Sequence, residues 1–249
     1  SQSDRRTRLA PSIRLVECDL MNLDGLCRVI CAVRPDEIYN LAGLTTIAEA
    51  EASPQQARIV MVEAVEAMLD AAYRDRIPLR FVQAGSAMIF EGTESSPQTE
   101  ATPAAPISVY AQAKCASMEL VRAARARGQF AGTAILYNHE SPLRDERFVT
   151  RKISKTAALI ANGMAEELHL GDVSMRRDWG WAPDFVMGMW LMTQAAHPDD
   201  YILATGVVHT VADFARYALE AAGIPDWESH VHGSPERGRS SDSSLLCGD

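Results

Sequence analysis

Ser86, Tyr110 and Lys114 are the residues whose types and spacing could do chemistry. Ser86 closes an apolar run over residues 80–86, and Tyr110 and Lys114 open the next helical stretch, four residues apart. On a helix an i, i+4 pair shares one face. An ammonium beside a phenol favours the phenolate, so the spacing predicts a tyrosine acidified enough to exchange a proton near neutral pH. A hydroxyl from a neighbouring strand end can bond the same substrate oxygen. The set suits proton transfer at a secondary alcohol while a nicotinamide exchanges the hydride. A Tyr-x-x-x-Lys pair alone is more often a surface pair; its place after a strand ending in a hydroxyl favours chemistry.

These residues need a scaffold, and the chain alternates strand and helix. Apolar runs at 13–16, 37–41, 80–86 and 133–138 read as strands, with helices at 26–33, 54–73 and 109–127 between them. In the second helix Val60, Met61, Val65, Met68, Leu69 and Ala72 fall on one face. Alternation at this spacing predicts an α/β, doubly wound parallel sheet. The strands are apolar throughout, as when helices cover both faces. Beyond residue 140 the reading is helix 148–162, strand 168–170, helix 184–196, strand 201–204, helix 211–222 and a polar loop over 227–244.

Composition excludes several classes. A net charge of −9 argues against a nucleic-acid backbone binder. No apolar run is long enough for a membrane span, and no secretory signal is visible. Five cysteines (Cys18, Cys27, Cys31, Cys115, Cys247) form no Cys-x-x-Cys, which points to a reduced, cytoplasmic, metal-free protein. The chain opens on Ser1 rather than Met and closes at Asp249 without a terminating element, which suggests a piece of a longer protein.

Longer runs carry a resemblance: Asp19-Leu20, residues 35–41, 110–114, 137–142, 148–153, 177–180, 204–206 and 245–249. In these the chain resembles the extended short-chain dehydrogenase/reductases, and among them the GDP-mannose 4,6-dehydratases; residues 138–152 are the most specific. The resemblance implies a Rossmann-type sheet, with 1–140 an incomplete NADP-binding domain and 141–249 mainly a GDP-sugar-binding part from which 174–206 returns to the first. It implies that NADP, with NAD as the alternative, oxidises C4 of a GDP-sugar, GDP-mannose foremost; water leaves across C5–C6 and the hydride returns to C6. Tyr110 would be the C4 base, Lys114 its partner and a ribose contact, and Ser86 the hydroxyl where the family usually has Thr. Asp19 and Leu20 match an adenine-contacting pair, Leu41 and Ala42 the strand end beside the cofactor, and His139 and Arg144 residues near it. Asn138, Val149, Lys152, Arg177, Arg239 and, with Asp for Glu, Asp242 match nucleotide-sugar contacts. Arginine and lysine suit a diphosphate. A homodimer or homotetramer is implied too.

Two departures bear on that reaction. The family has a Glu two residues after its catalytic Thr, acting as C5 base and C6 acid. Here that position is Met88, and a thioether shuttles no proton. Phe90 stands for a family Tyr and Glu91 for the following Gly; an odd offset from 88 turns Glu91 to the other face of a strand end. Loss of a general acid/base costs about 10²–10⁴ in rate. The alternatives are therefore a GDP-sugar 4-ketoreductase or 4-epimerase without dehydration, and a non-catalytic GDP-sugar-binding or assembly subunit. Second, no two of the 15 glycines lie within three residues of each other, so no Gly-x-x-Gly-x-x-Gly is present. The family carries that fingerprint upstream of where this chain opens, on the central first strand. Without it two strand edges would be exposed. Arg5 and Arg6 resemble the start of a loop that reaches a neighbouring subunit's cofactor.

Simpler readings stand beside these. His139 suits a satisfied buried histidine, and Arg177 with Asp178 a structural ion pair. Trp179, Trp181 and Trp190, and Met187, Met189 and Met192, read as core or lining. Arg122, Arg125 and Arg127 read as a solvated helix end, and Asp199-Asp200 and Glu166-Glu167 as surface charges.

Overall fold

Parallel strands form the frame that holds the reactive residues. A computed structural model describes residues 12–234 and 245–249 of the chain. In chain order the elements are α1 (Leu23–Val33), β1 (Glu37–Asn40), α2 (Ile47–Ala52), α3 (Pro54–Arg58), a π-helical turn (Ile59–Glu63), α4 (Ala64–Arg74), β2 (Arg80–Ala84), a 3₁₀ turn (Ala87–Phe90), α5 (Val109–Ala126) and β3 (Phe130–Leu136). Then come β4 (Asn138–Glu140), α6 (Val149–Ala161), β5 (Leu168–Leu170), β6 (Arg176–Trp181), α7 (Ala182–Gln194), β7 (Tyr201–Leu203), β8 (Val208–Thr210), α8 (Val211–Ala221), a 3₁₀ turn (Trp227–Ser229) and β9 (Val231–Gly233).

The main sheet has the order β1-β2-β3-β7, all parallel, with Asn40 opposite Gln83 and Ala84 opposite Ala134. This is the doubly wound α/β arrangement that the strand–helix alternation predicts. Local chemistry sets the helix ends. Asn22 caps α1 by accepting from the Gly25 N–H at 2.9 Å, and Arg34, left-handed at φ 48°, ends it before Pro35. Thr46 and Glu49 form a capping box on α2, and Thr210 and Asp213 another on α8. Ser108 caps α5 through the Ala111 N–H at 3.2 Å.

Two cores follow. One packs α1, α4 and α5 on the sheet through Leu26, Ile30, Met68, Leu69, Phe81 and Val121. The other packs α6 and α8 on β5 through Ile153, Ala157, Leu168, Leu170 and Leu219. A small sheet β4-β6-β8 connects to the end of β3. The segment 245–249 returns to the middle of the chain: the buried Gln98 side chain accepts from the Tyr137 hydroxyl at 2.7 Å and from the Cys247 N–H at 3.0 Å.

Several expectations are corrected. Residues 13–16 form no strand: Ile13, Leu15 and Val16 are about half exposed, and a strand exists only through a neighbour's ladder bonds. The helix expected over 54–73 is interrupted by the π turn and preceded by α2. Within the stretch read as loop, Val231–Gly233 is a strand paired with β5. Met189 and Met192 are buried, but Met187, Trp181 and Trp190 are exposed on the outer side of α7 and its approach. Asp200 is not a surface charge, nor are Arg122 and Arg125 merely solvated. Asp200 is buried and accepts from Arg122 at 2.8 Å, from Arg125 at 3.0 and 3.1 Å, and from the Thr133 N–H at 2.9 Å. Asp178 is buried as well, and its carboxylate holds the backbone N–H groups of Thr205, Gly206 and Gly248.

Burial alone would raise the Asp200 carboxyl, but the bonds from Arg125 and Arg122 outweigh it and hold it below its ordinary 3.8. Its stabilising contribution is therefore present above that value and lost as pH falls through the lower folded one. Asp200→Ala leaves two guanidinium groups without their acceptor and is expected to cost about 3–5 kcal/mol in urea unfolding at neutral pH. The loss relative to the unmodified protein shrinks in acid; an equal loss at pH 7 and pH 2 would contradict this account.

Candidate active site

The carboxyl ends of β1, β2 and β3 open on one side of the sheet, which brings Leu41 and Ala42, Ser86, and Asn138 to the same rim. In open α/β sheets ligands bind outside these ends. Gly85 lets Ser86 approach: a Cβ at position 85 would lie 2.8 Å from Thr133 Cγ2 and 2.9 Å from the Ala134 carbonyl oxygen. Ser86 stays extended and caps the 3₁₀ turn by accepting from the Met88 N–H at 3.2 Å.

Ser86, Tyr110 and Lys114 come together. The Ser86 hydroxyl faces the Tyr110 phenol and favours its ionised form. Lys114, one turn along α5, donates from Nζ to the Ala84 carbonyl at 2.7 Å, with Nζ 5.8 Å from the Tyr110 ring centroid. Tyr110 packs on the cluster of Ala50, Ala57, Met61 and Ala113. The electrostatics differ from the expectation. Burial pushes the Tyr110 phenol above its usual range, and the Ser86 hydroxyl and the Arg144 guanidinium only partly oppose it. Burial draws the Lys114 ammonium down from 10.5 to about 8.

Around this group, His139 places Nδ1 2.8 Å from the Tyr137 carbonyl oxygen and stacks on Phe185 at 5.0 Å. Arg144 pairs with Glu140 at 3.1 Å and lies over the Phe148 ring at 3.6 Å. Burial pushes the Glu140 carboxyl up despite that pairing. Met88 is half-buried against Phe90, Met118 and their apolar neighbours. Glu91 is buried too, and it accepts from the Ile107 N–H at 2.6 Å and from the Ser108 N–H.

The remaining expected residues are more dispersed. Asn138 is exposed at the start of β4, opposite Trp179; Arg177 lies two residues earlier on β6, hence on the same face as Trp179. Val149 opens α6, and Lys152, one turn on, donates to the His169 carbonyl. Asp19 and Leu20 belong to the turn into α1, where Asp19 accepts from the Met21 N–H at 2.9 Å and Leu20 packs on the first core. Arg5, Arg6, Arg239 and Asp242 lie outside the described residues. The link from Arg144 to Tyr110 and the role of Glu91 were not legible in spacing. The only signal for Glu91 was a charged residue where the resemblance calls for glycine.

Residues 1–249 match the family model described as GDP-mannose 4,6 dehydratase. The chain belongs to the GDP-mannose 4,6-dehydratase family. That family lies within the NAD-dependent epimerase/dehydratase superfamily. GDP-mannose 4,6 dehydratase 1 of Arabidopsis thaliana is 39% identical over 218 residues, covering 86% of this chain and 60% of that protein. The GDP-mannose 4,6-dehydratase of Sinorhizobium fredii (strain HH103) is 39% identical over 229 residues, covering 88% and 63%. The chain thus spans about 60% of the length of these relatives. Among solved structures, RMD from Pseudomonas aeruginosa complexed with NADPH superposes with a TM-score of 0.84 at 20% identity, over 100% of this chain and 84% of that one. UDP-glucose 4-epimerase from Thermotoga maritima gives 0.84 at 18%, over 97% and 77%. Both share the fold of this family member.

A lysine whose folded pKa is depressed binds fewer protons than its unfolded form between about 8 and 10.5. Stability therefore rises with pH across that window, and the penalty of the charged form is present below it. Lys114→Met is expected to be more stable relative to the unmodified protein at pH 7 than at pH 10.5, by up to roughly 3 kcal/mol. Denaturant unfolding at the two pH values checks this; a difference independent of pH would contradict it.

Proposed function

We propose that this chain carries the C4 redox site of an NADP-dependent GDP-sugar-modifying enzyme, with the dehydration step impaired at Met88. The observation that supports it is the meeting of Ser86, Tyr110 and Lys114 at the carboxyl ends of the strands. The donor set fits the nicotinamide end of such a cofactor: an ammonium and a phenol for hydroxyl groups, beside the exposed apolar Leu41. Tyr110 and Lys114 would hold it there, with His139 and Arg144 near and NAD as the alternative. When bound, it supplies the exchangeable hydride. Tyr110 moves the proton of the C4 oxygen, Ser86 orients that oxygen, and Lys114 fixes the start of α5 to the end of β2. Asn138, Val149, Lys152 and Arg177, together with Arg239 and Asp242, are proposed as nucleotide-sugar contacts, with GDP-mannose as the sugar nucleotide. We also place residues 1–140 in the cofactor domain and 141–249 mainly in the sugar-nucleotide part, within a cytoplasmic homodimer or homotetramer. Among the described residues no helix is long and apolar enough to cross a membrane.

A second reading has its own observation. Elimination needs a carboxylate at the Ser86 turn, where Met88 sits in an apolar cluster and Glu91 is committed to backbone donors. Burial also keeps Tyr110 protonated, the form that gives a proton to a C4 carbonyl oxygen. The missing carboxylate favours a 4-ketoreductase or 4-epimerase over a dehydratase, and the protonated phenol favours the ketoreductase of these two; the non-catalytic subunit is the remaining alternative.

The protein, with whatever flanking sequence its gene encodes, is incubated with GDP-mannose and NADP⁺ and the products are weighed. The expected products keep the mass of the substrate or, from a 4-keto GDP-sugar with NADPH, gain two hydrogens. Met88→Glu should raise loss of water by about 10²–10⁴, and Tyr110→Phe should abolish every reaction. Rapid dehydration by the unmodified protein would overturn the impairment. Nucleotide binding without any turnover would favour the binding subunit.

A further inference from the structure

Glu91 has no part in the chemistry above, yet it is only 2% exposed, and a carboxylate so buried must be met by donors. Its Oε1 meets two, the backbone N–H groups of Ile107 (2.6 Å) and Ser108. Ser108 is the N-cap of α5, and Tyr110 lies two residues on. On its other side Glu91 closes the 3₁₀ turn that Ser86 begins, its own N–H donating to the Met88 carbonyl at 3.1 Å. One carboxylate therefore spans the two segments that carry Ser86 and Tyr110. Backbone bonds brace the same junction: the Ala105 N–H donates to the Ile89 carbonyl at 2.8 Å and the Gly92 N–H to the Ala105 carbonyl at 3.0 Å. Glycine is needed at 92, where a Cβ would lie 2.6 Å from the Ala105 oxygen. A negative charge also suits the amino end of a helix.

We propose that Glu91 is a positioning residue: by holding the Ile107 and Ser108 N–H groups it sets the distance between Ser86 and Tyr110. It acts through α5. The catalytic consequence rests on the reading of Tyr110 as the C4 proton carrier; the clamp itself does not.

Two measurements on one set of variants test this. Amide hydrogen exchange at residues 107–110 should quicken at least about tenfold in Glu91→Ala, with β2 and β3 unchanged. In turnover of GDP-sugar the same variant should lose about 10–100-fold in kcat with KM within about twofold, because misplacement of a reacting group acts on the chemical step. Glu91→Gln keeps the carbonyl acceptor and should restore both readouts, whereas Glu91→Asp, one methylene short, should not; it also serves if the alanine variant fails to fold. Unchanged exchange in Glu91→Ala or Glu91→Asp overturns the clamp, and quickened exchange with an unchanged kcat overturns its catalytic role. An unmodified protein that turns over no GDP-sugar refutes the functional reading, and exchange alone then decides whether the clamp exists.

Discussion

The bond from the Lys114 ammonium to the Ala84 carbonyl is the constraint on which the site depends. It joins α5 to the last residue of β2, one residue before Gly85 and two before Ser86. An ammonium is costly to bury, and a charge-assisted bond to a backbone carbonyl is what keeps it there in one position. Once Lys114 is fixed, the i, i+4 spacing turns Tyr110 to the same side of α5, and the end of β2 delivers Ser86 to it. The lysine thus acts first as a structural tie and only then as a neighbour of the phenol.

Carboxylates elsewhere in the chain show the same economy of placement. Asp200 joins β3 to two arginines of α5, Asp178 gathers three backbone donors from the strand end and the terminal segment, and Glu91 binds the mouth of α5. Each is buried, and each accepts hydrogen bonds from donors that the fold holds in place. The turn after Ser86, where a proton-shuttling carboxylate would have to be free of such duties, holds a thioether instead. Met88 contributes apolar packing to its cluster, while the neighbouring carboxylate secures the geometry.

Much of the frame was legible in the sequence, because long amphipathic helices and fully apolar strands carry strong periodic signals; α5, β2 and the residues 168–170 stand where patterning puts them. Four of the short strands were not. β4, β6, β8 and β9 are three to six residues long and owe their form to partners distant in sequence. Residues 13–16 show the converse: they have the composition of a strand but, without a paired neighbour, they form none and stay exposed. The triad's meeting was legible from spacing plus element order. Its electrostatics were not, since whether an ammonium points at a phenol or at a carbonyl depends on where the next strand ends.

That distinction bears on direction of proton flow. A phenol acidified by an adjacent cation would rest as the base that begins an oxidation. In this chain burial dominates at Tyr110, and the Ser86 hydroxyl and the Arg144 guanidinium oppose it only partly. A neutral phenol beside Ser86 is a proton donor at rest, the form suited to a carbonyl oxygen. The loss of a carboxylate at position 88 and the protonated state of Tyr110 arise from independent causes, sequence in one case and desolvation in the other. Their agreement is what supports the reading proposed above, C4 redox chemistry with elimination impaired.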